Sequence, residues 1–202
     1  MRSSPTNIRI AMSTTLASPQ QDAAQTSSYD KTTIRLHWAI VVLVALQWLG
    51  AELVDFLPDR TARQLYWSTH ITLGTLFAAV VIAHVWWRMT GGRRLPQSNE
   101  DGWKAATRVM HTVLFWLPAL LAALGIGIVL ARGWTLFHTI TIPMVPGGSK
   151  HLAGQIHAVH EWTAHVVVFL ATGHAAAALF HHYLLRDGVL ARMRPTLQQR
   201  TS

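Results

Sequence analysis

The sequence predicts an all-α fold: a four-helix transmembrane bundle with both termini cytoplasmic. Three observations carry this reading. Half of the 202 residues are hydrophobic and only 13% are charged, where a soluble domain would carry about 25%. Four apolar stretches, near 34–56, 66–89, 106–131 and 158–184, each supply the ~20 residues that a membrane span requires. Lysine and arginine, finally, are spread unevenly over the segments that join them.

Residues 1–30 are rich in Ser, Thr, Ala and Gln, contain no apolar run, and read as a disordered tail too polar for a signal peptide. A four-span domain follows over 31–190, and 191–202 form a C-terminal tail. Breaks between spans fall at Leu57-Pro58-Asp59, from Gly91-Gly92 to Pro96, and from Pro143 to Gly148, where proline and glycine punctuate the chain. Basic residues number four before and at the start of the first span (Arg2, Arg9, Lys31, Arg35), five around the second connection (Arg88, Arg93, Arg94, Lys104, Arg108) and four in the C-terminal segment (Arg186, Arg192, Arg194, Arg200). The first and third connections hold two each, Arg60 with Arg63 and Arg132 with Lys150. That thirteen-to-four bias places both termini in the cytoplasm. The net charge of +8 is therefore topogenic, and a nucleic-acid partner is set aside in favour of membrane lipid. Trp67, Trp86, Trp87, Trp103 and Trp134 lie near span ends, as an interfacial aromatic belt would have them.

The chain has no cysteine. Disulfides, iron–sulfur clusters and thiolate ligands are excluded, so redox chemistry would need a bound cofactor or a histidine-held metal. Histidine is plentiful, and four lie in otherwise apolar stretches: His37, His70, His160 and His174. A neutral imidazole is costly in hydrocarbon unless something takes up its nitrogens. His160 and His174 share one helix, ~21 Å apart along its axis and about 40° from the same face. Two ligands at two membrane depths suit two haems, one per leaflet. The spans set the depths: His70 and His160 on the outer side, His37 and His174 on the inner side. Gly74, Gly125, Gly127, Gly173 and the run Ala175 to Ala178 leave room for a macrocycle, although small residues also serve close helix packing in lipid.

Other histidines offer alternatives. His84 follows His70 by fourteen residues, so an arrangement of the second and fourth spans alone, with His84 in place of His37, stays open. His111 reads as an interfacial or hydrogen-bonding residue. His165, about 140° around the helix from His160, reads as a helix–helix contact. His138 and His151 lie in or beside the third connection, without the spacing of a zinc site. His181, with His182 and Tyr183, closes the fourth span; seven residues beyond His174, it sits on nearly the same face and is a quinone candidate, an imidazole placed to hydrogen-bond a carbonyl.

The segments Tyr29-Asp30 with Ile34-Arg35-Leu36-His37-Trp38, His70-Ile71-Thr72-Leu73-Gly74, Val159-His160-Glu161 and Gly173 through His181-His182-Tyr183 resemble the bacterial cytochrome b561 family. Arg186-Asp187 and Met193-Arg194-Pro195 also fit, so that the likeness runs from about 29 to 195. The resemblance implies a membrane cytochrome with two b-type haems whose iron atoms are held by His37, His70, His160 and His174. It weighs against His84 as a ligand, because arginine is usual in the family at that position; Arg88 or Arg35 can serve a haem propionate instead. It further implies similarity to the superoxide-oxidising, ubiquinone-reducing enzyme of bacterial inner membranes. The expected activity is thus superoxide:quinone oxidoreduction, with superoxide drawn to the outer cations Arg60, Arg63, Arg132 and Lys150. Two alternatives are a membrane anchor passing electrons from a partner dehydrogenase or periplasmic redox protein, and a histidine-lined metal transporter.

Overall fold

The structure, a computed structural model, describes residues 28–93, 95, 104–186 and 189–193. The segments 1–27 and 194–202, with Arg2, Arg9, Arg194 and Arg200, lie outside the described residues, as do Arg94, Pro96, Trp103 and Asp187. Four long helices dominate: α1 (Lys31–Leu53, continued by a 3-10 turn Val54–Phe56), α2 (Arg60–Thr90), α3 (Lys104–Arg132) and α4 (Lys150–Phe180). A π-helical turn, His181–Leu185, extends α4, and a 3-10 turn spans Leu190–Met193. All four helices are long and apolar enough to cross a membrane.

The helices start earlier than hydropathy alone suggests. The fourth begins at 150 rather than 158 because Ser149 caps it, its hydroxyl accepting from the Leu152 N–H. Asp59 likewise starts α2 at 60 rather than 66 by accepting from the Ala62 N–H at 2.7 Å. Each cap satisfies one of the free N–H groups at a helix start, so polar residues ahead of the apolar run are drawn into the helix.

Each helix packs on the next in sequence, and α4 returns to α1. One end of the bundle, the terminal end, gathers the start of α1, the end of α2 and the chain after α4. Asp30 is its hub. Its carboxylate accepts from the Thr33 N–H and hydroxyl, the Trp87 indole and the Arg93 N–H. Nearby, the Tyr29 N–H donates to the Arg192 carbonyl and the Trp38 indole to that of Met193. Tyr29 and Asp30 are thus tied to the bundle by hydrogen bonds. Burial alone would raise the Asp30 carboxyl, but these hydrogen bonds outweigh it and hold it at about 2, below the ordinary 3.8. The stability that Asp30 contributes is therefore present above pH 3.8 and lost as pH falls through about 2. Asp30→Ala should destabilise the protein by about 1–2 kcal/mol at neutral pH, read as a lower midpoint of thermal unfolding in detergent.

The opposite, hairpin end carries a feature absent from the all-α expectation. Between α3 and α4 lies a two-stranded antiparallel hairpin, β1 (Trp134–Leu136) and β2 (Ile140–Ile142), with Trp134 opposite Ile142. Its turn places Phe137 and His138 both at positive φ, 48° and 60°. Two consecutive left-handed residues suit the twist of a tight hairpin, although Asn-Gly is the usual pair there. Tertiary contact compensates: the Phe137 N–H donates to the hydroxyl of Ser68, a fully buried residue on α2.

The packed core sits midway along the bundle. Leu43 of α1, Phe77 and Val81 of α2, Leu121 of α3 and Val167 of α4 form one cluster. Phe77 lies seven residues from both His70 and His84, and Val167 seven from both His160 and His174. An apolar layer therefore separates two histidine levels by ~10 Å on either side.

Candidate functional site

At the hairpin-end level, His70 of α2 and His160 of α4 are both half-buried and lie within electrostatic reach of one another. The Tyr66 hydroxyl, one turn before His70 on the same helix, lies 3.2 Å from its Nδ1. That contact engages one ring nitrogen and leaves Nε2 for a ligand. The Trp67 ring meets the same imidazole edge-on at 5.4 Å. The His160 ring lies close to the Leu121 backbone of α3, and its buried Nδ1 has no hydrogen-bond partner among the described residues. Gly125 makes that orientation possible: a Cβ there would lie 3.3 Å from His160 Cε1.

At the terminal-end level, His37 of α1 lies within electrostatic reach of His174, His84 and His111, one from each of the other helices. His37 and His174 thus lie at one level of the bundle. Neither ring takes a hydrogen bond among the described residues. His84 packs edge-on against Phe115 at 5.5 Å. His111 meets the His174 ring edge-on at 5.3 Å. Gly173 beside His174 has nothing within 4 Å of an added Cβ, so space remains open there.

Among the described residues no three His, Asp or Glu side chains converge as a metal site would require. A bare ion needs three or four protein ligands, whereas a porphyrin iron brings four nitrogens and asks the protein for two. Facing imidazole pairs, an unpartnered Nδ1 and glycine-made space suit the second kind of centre. His138 lies in the hairpin turn and His151 in the first turn of α4, and neither joins a cluster.

Above the His70 level a cavity of about 620 Å³ opens at the hairpin end. Arg60, Arg63 and Arg132 line it together with Trp67 and Trp134, and no acidic residue does. The Arg132 guanidinium stacks over the Trp134 ring at 5.2 Å. Three of the four cations expected at this end thus share one cavity, while Lys150 does not line it. Asp59 is occupied at the α2 cap. At the other end, half-buried His181 opens the π-helical turn after α4, which Arg186 closes in a left-handed conformation, φ 54°. Such π turns recur at functional positions.

Sequence reasoning had missed the Tyr66 hydroxyl, although its i, i+4 spacing from His70 is readable. It had also missed Glu52, which lies 3.2 Å from Nε2 of His165 across the α1–α4 seam; His165 does make a helix–helix contact.

Comparison with known proteins agrees with this architecture. The family model described as prokaryotic cytochrome b561 matches residues 28–196. Cytochrome b561 homolog 1 of Escherichia coli (strain K12) is 31% identical over 175 residues, covering 83% of this chain and 97% of that protein. A Yersinia pestis protein named "Probable superoxide oxidase CybB" is 29% identical over 172 residues, 83% of this chain and 96% of its own length. Cytochrome b562 of Cereibacter sphaeroides is 25% identical over 174 residues, covering 84% and 96%. With four membrane-spanning helices and a match over most of its length, this chain belongs to the prokaryotic cytochrome b561 family of b-type haem electron-transfer proteins.

Proposed function

We propose that the chain carries two b-type haems and moves electrons from superoxide on the outer face of a bacterial inner membrane to ubiquinone near the inner face. The observation that carries this is the pairing of histidines at two levels, His70 with His160 and His37 with His174, on either side of one apolar layer. His70, His160, His37 and His174 would hold the two haems, which would supply one-electron transfer. The residues around them do the rest. The Tyr66 hydroxyl orients His70, and Gly125 admits the His160 ring against α3. Arg60, Arg63 and Arg132 attract an anion to the end where Trp67 touches His70. His181 offers a hydrogen bond to a quinone carbonyl. The balanced reaction is two superoxide anions giving two dioxygen molecules, while one quinone takes two electrons and two protons. The charge bias supports cytoplasmic termini, and the name of the Yersinia relative supports superoxide as donor.

A visible spectrum with a haem-to-protein ratio tests the core of this reading. Two low-spin haems per chain are expected, and none would overturn it. Superoxide consumption should require added quinone. Inertness toward superoxide, with fast reduction by a periplasmic redox protein, would replace this reading with the electron-conduit alternative. Gly125→Leu should push the His160 ring away from α3 and lower the ratio from two toward one, with the other haem retained.

A further inference from the structure

The hairpin end also carries an ionisable pair that plays no part in holding a haem. Glu52, on the last turn of α1, and His165 of α4 are each 45% exposed on the outside of the bundle, with Oε1 3.2 Å from Nε2. The other ring nitrogen of His165 lies 2.8 Å from the Glu161 carbonyl. A carbonyl only accepts, so Nδ1 carries a hydrogen. Nε2 then faces a carboxylate oxygen, and that contact needs one further proton between the two groups. Charged and polar groups at the lipid-facing side of a span are costly and call for a functional partner. Trp48 meets the His165 ring at right angles, 6.4 Å away, and its buried indole N–H has no acceptor among the described residues. Trp162, 74% exposed, lies 6.5 Å from the same imidazole.

We propose that this notch, Glu52 and His165 walled by Trp48 and Trp162, binds the polar head of a lipid-soluble quinone at the hairpin end, apart from the His181 region. The inference rests on a quinone being the electron acceptor. A ligand carbonyl can compete with Glu52 for the Nε2 hydrogen of His165, and the indoles supply flat apolar walls for a ring. An anionic lipid headgroup fits poorly, because Glu52 and the neighbouring Glu161, itself paired loosely with His157 at 3.9 Å, present carboxylates; a neutral carbonyl compound does not meet that repulsion. Trp162 also borders an apolar cleft of about 340 Å³ between α3 and α4, lined by Leu117, Val159 and Val166, which can take an isoprenoid tail. The notch lies five residues along α4 from His160, ~7.5 Å of helix rise.

The test is photolabelling of the full-length, haem-loaded protein in phosphatidylcholine nanodiscs with an azido-ubiquinone, mapped by peptide mass spectrometry. Label is expected on the segments around 48–53 or 162–166. It should fall about tenfold in Glu52→Gln and in His165→Phe, the loss of roughly one strong hydrogen bond, with the haem spectrum unchanged in both. Label confined to the region around His181 would overturn this site and leave the quinone reading standing. Undiminished label in both variants would also overturn it. Absence of label everywhere would overturn the site and the quinone reading together.

Discussion

His160→Ala will empty the haem site at the hairpin end and leave the terminal-end site filled, halving the haem-to-protein ratio. The expectation follows from how the two levels are built. Phe77, Val167 and their neighbours form a packed layer between them, so a defect at one level is not transmitted by shared side chains. Truncation removes the α4 imidazole that would hold the haem there, and leaves the half-buried Tyr66–His70 pair without that partner across the bundle. The spectrum that remains should be that of the terminal-end haem alone, low-spin and half as intense per chain. His174→Ala should mirror this at the terminal end, and His37→Ala should do the same. His84→Ala should retain both haems. Were His84→Ala to empty the terminal-end site while His37→Ala left it filled, the ligands would come from α2 and α4 alone. Reduced-minus-oxidised spectra and a pyridine haemochrome count distinguish these outcomes.

How much of this was legible in the sequence depends on the range of the forces involved. Spans were legible because hydropathy sums over twenty residues. Their starts were not, since Asp59 and Ser149 extend α2 and α4 through single capping bonds outside the apolar windows. The hairpin escaped notice for a related reason. Strands of three residues show no periodicity, and Phe137-His138 adopts its left-handed turn under a tertiary contact from Ser68 rather than from Asn-Gly chemistry. Histidine depth followed from position along each span. Rotation about the helix axis did not, because it is set by packing, and so the approach of His111 to His174 and of Glu52 to His165 emerges only in the bundle. The cations at the hairpin end could be counted but not grouped; three of them converge because α2 begins where α3 ends, beneath the hairpin.

That convergence sets the second large effect. Removing the charges of Arg60, Arg63 and Arg132 together, as a triple glutamine variant, should lower the second-order rate with superoxide about 10- to 100-fold at low ionic strength. The size rests on the cavity: three guanidinium groups line about 620 Å³ with no carboxylate among them, and low-dielectric walls of Trp67 and Trp134 focus the field toward the His70 level. Two of the three arginines are held in part by the protein. Arg63 donates to the Leu57 carbonyl at 3.3 Å and Arg132 stacks on Trp134, so the charges stay directed into the opening. Screening supplies the control. At about 10 mM salt the Debye length is ~30 Å, longer than the cavity, while near 1 M it is ~3 Å; the rates of parent and variant should therefore converge as salt rises. An effect independent of salt would point to lost structure rather than lost steering. Stopped-flow kinetics across that range, with the haem spectrum as a check on folding, make the distinction. Lys31→Gln, an exposed cation at the opposite end of the bundle, should leave the superoxide rate unchanged at every salt concentration.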